Sequence, residues 1–140
     1  MKKILSTIIL SLLFVISTNA QKKEKHNIVF QFTDAVDTLQ QKAFVKQLEN
    51  ITEHWPTANI EVVIYNQGVD LIFISNKMYH ERLLSLKNKG VKFVVCENTL
   101  KNRKIPKEKL HLDIVGFVPA GIAELVLKQE KGWAYIKGGF

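Results

Sequence analysis

Apolar residues along this chain fall into short continuous runs, separated by longer segments in which they recur every three or four positions. Residues 26–32 (HNIVFQF) are the first run, rich in β-branched and aromatic side chains, and predict a strand. Thr33-Asp34 reads as a turn and cap. After it Val36, Leu39, Ala43, Phe44, Leu48 and Ile51 return close to helical spacing. That helix should end by Trp55-Pro56, because proline disfavours helical backbone at the residue before it. Residues 59–65 (NIEVVIY) are a second strand, apolar enough to be covered on both faces. Asn66-Gln67-Gly68 breaks this run, and residues 69–74 are apolar without a period that fixes their type.

Residues 76–89 predict a polar-rich helix that buries Met78, Leu83, Leu84 and Leu86 and stops at Gly90. The next run, opened by Gly90-Val91, is a third strand ending at Cys96. A short helix over residues 97–103 follows, limited by Pro106. Residues 113–118 form a fourth strand. Pro119-Ala120-Gly121 then turns into a helix through Ile122, Leu125, Val126 and Leu127, closed by Gly132, and residues 133–137 (WAYIK) are a last short strand. Strands alternating with helices at this spacing imply βαβ units, a mainly parallel sheet and helices on both of its faces. In such sheets chemistry gathers at the carboxyl ends of the strands. Cys96 is predicted to stand at one.

The first twenty residues change the picture of where the protein works. Lys2 and Lys3 precede an apolar stretch over residues 4–16, and Thr18-Asn19-Ala20 offers a small-residue cleavage site. The stretch is shorter than the roughly 20 apolar residues that a membrane helix needs. The reading is a signal peptide over residues 1–20, no membrane span after its removal, and a periplasmic or secreted domain over residues 21–140. That domain is long enough for one hydrophobic core.

Without Lys2 and Lys3 the chain carries 18 basic and 13 acidic side chains. The bases are scattered rather than set in a stripe with aromatics between them, which argues against a nucleic-acid partner. A single cysteine, Cys96, excludes an internal disulfide.

A thiol reacts as its thiolate, which backbone N–H groups at a helix start or a nearby cation favour. The helix predicted at residues 97–103 would aim such groups at Cys96 and lower its pKa below the ~8.5 of a free cysteine. Glu97 opposes this, while Lys101, Arg103 and Lys104 would assist it. Free cysteines are also among the most buried residue types, so the pattern leaves a reactive thiol and a core thiol equally open. His26, His54, His80 and His111 lie in no catalytic motif and show no metal-ligand spacing. No C-x-x-C pair exists for thioredoxin-like chemistry, and no cofactor motif appears. The turn at Gly121 is a weak anion-binding signal.

The run GVKFVVCENTLKNRKI, followed by VGFVPAGIAELVLKQEKGWAYIK, closely resembles the DsrE/DsrF-like (YchN-like) family of small sulfur-relay proteins. Members show a GV-x-F-x-x-C-x-N-T-L run, a V-P-x-G-[IV]-x-E-L run and a closing G-[WY]-x-Y-I-K. The likeness includes residues 61–71 (EVVIYNQGVDL) and covers most of residues 28–137. Many relatives have a His-Gly pair near Tyr65-Asn66, and this chain departs from them there. The resemblance implies a three-layer α/β domain with a five-stranded, mainly parallel sheet, and homo-oligomers, either trimers or hexamers. It implies a persulfide on Cys96, with Asn98, Thr99 and Gly121 as binding residues, and a sulfur donor or acceptor that is a protein or a small sulfane-sulfur compound. The competing expectation is a non-catalytic oligomeric binding module in which Cys96 belongs to the core.

Overall fold

The computed structural model describes residues 25–140; the proposed signal peptide lies outside the described residues. Five strands, β1 (Asn27–Phe32), β2 (Asn59–Ile64), β3 (Lys92–Cys96), β4 (Val115–Val118) and β5 (Ala134–Lys137), form one sheet in the order β4-β3-β2-β1-β5. Every pairing is parallel, with Phe30 opposite Val62, Val62 opposite Phe93 and Phe93 opposite Val115. Among the described residues four α-helices accompany them: α1 (Thr38–His54), α2 (His80–Asn88), α3 (Glu97–Asn102) and α4 (Gly121–Glu130). The expected three-layer α/β architecture is present. No helix among the described residues is long and apolar enough to cross a membrane.

The two-residue period of a strand assigns each side chain to a face. Ile28, Phe30, Phe32, Ile60, Val62, Ile64, Phe93 and Val95 point into the larger core, where they meet Phe44, Val45 and Leu48 of α1 and Leu83 and Leu86 of α2. Phe32 stacks on Phe44 with ring centroids 4.0 Å apart. The alternate residues Val29, Val63, Val94 and Val118 meet Leu125 of α4 in a second, much smaller cluster flanked by Tyr65 and Trp133. Cys96 lies on this thinner face, two residues beyond Val94.

Several local expectations are corrected. Asp34 closes only a small turn, its Oδ1 accepting from Val36 N–H at 3.1 Å, and the helix cap is Asp37, whose Oδ1 accepts from Leu39 N–H at 2.8 Å. Val36 and Leu39 are therefore exposed rather than part of the buried stripe. The ambiguous segment after β2 is a 3-10 helix, Asn66–Ile72, that buries Val69, Leu71 and Ile72. It fits because Gly68 runs against β1: a Cβ there would lie 2.3 Å from the Phe32 carbonyl oxygen.

Helix α2 starts at His80 rather than at residue 76, because Asn76 is held in a turn. Its Nδ2 donates to Gln41 Oε1 at 2.9 Å and to the Asp70 carbonyl at 3.2 Å. Met78 is left exposed. Along α4 only Gly121 and Leu125 are buried, while Ile122, Val126 and Leu127 face outward.

Candidate functional site

Cys96 is the last residue of β3 and the N-cap of α3. The strand brings its side chain to the carboxyl edge of the sheet, and the chain turns at once into the first turn of the helix. Gly121 opens α4 directly above it. A Cβ on Gly121 would lie 3.2 Å from Cys96 Cβ and 3.2 Å from Tyr65 Cδ1, so the backbone approaches the thiol more closely than a larger residue ordinarily allows.

The neutral thiol makes no side-chain cap hydrogen bond, and sulfur becomes a strong acceptor only on ionisation. Burial pushes the Cys96 pKa up. Hydrogen bonding to the thiolate from the Gly121 and Thr99 N–H groups, the Thr99 hydroxyl and the Asn98 N–H outweighs it and brings the pKa below the ordinary cysteine value. The residue is nonetheless only 6% exposed.

Thr99 is itself oriented. Its Oγ1 accepts from the Asn66 N–H at 3.1 Å, which leaves its own hydrogen for the sulfur. Asn66 holds this position in a left-handed conformation, φ 50°, that asparagine tolerates well. Arg103 fixes the turn by donating to the Asn66 carbonyl at 2.7 Å and to Asp70 Oδ1 at 2.8 Å. Arg103 is thus a brace for Asn66 and Asp70, not a cation on the thiol. Glu97 is paired with Lys107 at 2.5 Å, and that ammonium also lies 4.1 Å from the Phe117 ring centroid.

The predicted residues converge unequally. Cys96, Thr99 and Gly121 meet at one sulfur, while Asn98 supplies its backbone N–H and keeps an exposed side chain. Asn98 N–H also donates to the Pro119 carbonyl at 3.3 Å, joining the β3 and β4 turns.

Tyr65, Gln31 and Tyr135 are part of the same face, and sequence reading missed them. Gln31 Nε2 donates to Tyr65 OH at 2.6 Å, and Tyr135 OH donates to Gln31 Oε1. Burial first, then the nearby Tyr135 and Cys96, raises the Tyr65 pKa, so its phenol stays protonated. The available signal was register: Ile64 pairs with Val95, which places Tyr65 beside Cys96 at the next position.

Asn66 also lines a polar cleft of about 590 Å³ with Thr33, Asp34, Gln67 and Arg103. A groove of about 880 Å³ between α1 and α2, lined by Glu49 and Arg82 among others, is remote from this chemistry. The histidines pair off elsewhere. His26 and His54 lie against Trp55, with centroids 4.0 and 5.0 Å away, and His80 lies 4.2 Å from His111. Among the described residues no histidine is placed as a base for Cys96.

The DsrE/DsrF-like family matches residues 11–137. The chain belongs to the DsrE/DsrF-like family. The match begins inside the proposed signal peptide and runs through β5. Comparison with curated proteins returned no match.

Among solved structures, this DsrE/DsrF-like chain is similar to MTH1491 from Methanobacterium thermoautotrophicum, a protein of unknown function. Identity is 27%, the TM-score is 0.73, and the match covers 81% of this chain and 99% of that one. It also shares its fold with BT1422 from Bacteroides thetaiotaomicron, a conserved protein of unknown function. There the identity is 12%, the TM-score 0.59, and the coverage 79% of this chain and 93% of that one.

Proposed function

We propose that this protein is a sulfur carrier, sulfurtransferase-like in its chemistry, that holds sulfane sulfur as a persulfide on Cys96. The observation that supports this reading is the gathering of three backbone N–H groups and one hydroxyl around a single sulfur, enough to favour its anion despite burial. Membership of the DsrE/DsrF-like family agrees with a sulfur-relay role. In the first step the Cys96 thiolate attacks the sulfane sulfur of a polysulfide or of thiosulfate. A new S–S bond forms as the donor's S–S bond breaks, and the electron pair leaves with the donor thiolate or with sulfite. In the second step an acceptor thiolate attacks the outer sulfur, and Cys96 departs as thiolate. No second cysteine is needed, and the same N–H groups that stabilise the attacking anion stabilise it again as leaving group.

A second reading keeps the fold as a non-catalytic oligomeric binding module with Cys96 in the core. The 6% exposure of the residue favours it. Intact mass after exposure to polysulfide or thiosulfate separates the two readings. The carrier gains about 32 Da, lost again on treatment with a thiol, which distinguishes persulfide from sulfinic acid; Cys96→Ser gains nothing. A native thiol that takes up no sulfur and resists alkylation until unfolding supports the binding module.

The homo-oligomer, trimer or hexamer, is proposed with support from α4, which covers its face of the sheet alone and exposes Ile122, Val126 and Leu127. Light scattering at micromolar concentration tests it, and a sharp monomer mass refutes it. Export of the mature domain to the periplasm or medium is proposed from residues 1–20. N-terminal sequencing of exported protein that finds Met1 retained refutes it.

A further inference from the structure

Two of the four histidines, scattered in sequence, are brought by the fold beside one carboxylate. His80 opens α2, and His111 and Asp113 lie in the segment that leads to β4. His80 Nε2 is 2.9 Å from Asp113 Oδ2, and His111 Nδ1 is 3.9 Å from Asp113 Oδ1. One donor atom from each of the three residues lies within 4.8 Å of the other two. In a tetrahedral site with bonds near 2.1 Å, neighbouring donors stand about 3.4 Å apart. Small side-chain rotations therefore bring this trio to coordination distance.

A second observation points the same way. His111 Nε2 is buried and has no hydrogen-bond partner, on a side chain only 12% exposed. Buried polar atoms are nearly always satisfied. Nδ1 of this ring lies 3.9 Å from the Asp113 carboxylate, beyond hydrogen-bond distance, and Nε2 has no partner in hydrogen-bond geometry, so a lone pair of the neutral ring is left unsatisfied. The surroundings of His80 complete the pattern. Its Nδ1 lies 3.3 Å from Glu81 Oε1, which leaves Nε2 turned toward Asp113 as the metal-binding nitrogen. A carboxylate on the outer nitrogen of an imidazole is a common support for a metal ligand.

We propose that His80, His111 and Asp113 form a binding site for a divalent transition-metal ion of the zinc class. The ligands are two imidazole nitrogens and one carboxylate oxygen, and the remaining coordination is left to water or an incoming ligand. Imidazole donors select zinc and its neighbours over magnesium and calcium, which take oxygen ligands. The Lys87 ammonium donates to the Asp113 backbone carbonyl, so a cation already stands beside the site, partly balanced by Glu81. Affinity is accordingly expected to be moderate rather than extreme. The donor set contains no sulfur, which makes the site independent of the chemistry proposed for Cys96.

Calorimetric titration of tag-free protein with zinc chloride tests the proposal. Saturable binding of one ion per chain is expected for wild type and equally for Cys96→Ser. At least tenfold weaker binding is expected for His80→Ala, His111→Gln and Asp113→Asn. Cobalt(II) in place of zinc should give a visible absorption band with wild type that Asp113→Asn lacks. His80 and Asp113 lie near the surface, so these two variants decide the matter should His111→Gln fail to fold. Absence of saturable binding to wild type overturns the site. So does unchanged affinity in both His80→Ala and Asp113→Asn, or loss of binding confined to Cys96→Ser.

Discussion

Gly121 and Cys96 are in close backbone-to-side-chain contact: an added Cβ on Gly121 would stand 3.2 Å from Cys96 Cβ and 3.3 Å from Val63 Cγ1. The same closeness lets the first N–H of α4 stabilise the thiolate. Gly121→Ala is expected to move the start of α4 outward by a few tenths of an ångström, destabilise the fold by about 1–3 kcal/mol as an overpacking change, and raise the thiol pKa. The midpoint of alkylation rate against pH reads the last effect. A midpoint at or below the wild-type value would show that the Gly121 N–H does not act on the sulfur.

Thr99→Val removes the hydroxyl that bonds the thiolate and leaves the Asn66 N–H without its acceptor. The orphaned, part-buried N–H costs about 1–3 kcal/mol, and the alkylation midpoint should move up. Thr99→Ser keeps both hydrogen bonds and should keep the wild-type midpoint. Equal behaviour of the valine and serine variants would exclude a role for the hydroxyl.

The pH dependence of stability carries the same information without chemistry on the thiol. The folded-state pKa of Cys96 is depressed, because hydrogen bonds to the anion outweigh burial. Its contribution is therefore complete above the unfolded value of ~8.5 and is lost as pH falls through the folded value. Chemical denaturation should show wild type gaining stability over Cys96→Ala as pH rises through that window. A difference that is flat or of opposite slope there counts against the lowered pKa.

Glu61 is 1% exposed in the smaller cluster, with Lys128 Nζ 2.7 Å and Lys92 Nζ 3.0 Å from its Oε2. Burial pushes its pKa up, but the two ammonium groups pull it below the ordinary carboxylate value. Lys128→Met leaves a buried carboxylate with only the exposed Lys92 and should cost about 3 kcal/mol. In a Glu61→Gln background the same change should cost clearly less, because only the part-exposed Glu124, 3.4 Å from Lys128, then loses a partner. Denaturant midpoints across this double-mutant cycle give the coupling. Additive effects would mean that the two side chains do not depend on each other.

The strands are legible in the sequence because a parallel sheet covered on both faces writes itself as continuous apolar runs, as at residues 62–65 and 93–96. Helix starts are harder to read, since they turn on single side-chain hydrogen bonds. Asp37 rather than Asp34 accepts at the cap, and the Asn76 amide holds a turn where periodicity suggested helix. At the site, Cys96 and the two turns around it are readable because each is a local motif. The Gln31–Tyr65–Tyr135 hydrogen bonds are not, because β1, the end of β2 and β5 bring the residues together only through the sheet register. The His80 and His111 pair is hidden because a helix start and a loop far apart in sequence meet only in the folded chain.

β5 pairs with β1, at the far edge of the sheet from β4, the strand that precedes it in the chain. Synthesis from the amino end therefore delivers Cys96 well before its setting is finished. Until Gly121 emerges the sulfur lacks its leading hydrogen-bond donor, and until residues 134–137 emerge the outer edge of β1 stays unpaired. A chain that ends before Gly121 offers the sulfur only the donors of Asn98 and Thr99. The full set of hydrogen bonds that lowers its pKa is therefore complete only once α4 has docked, late in the order of synthesis.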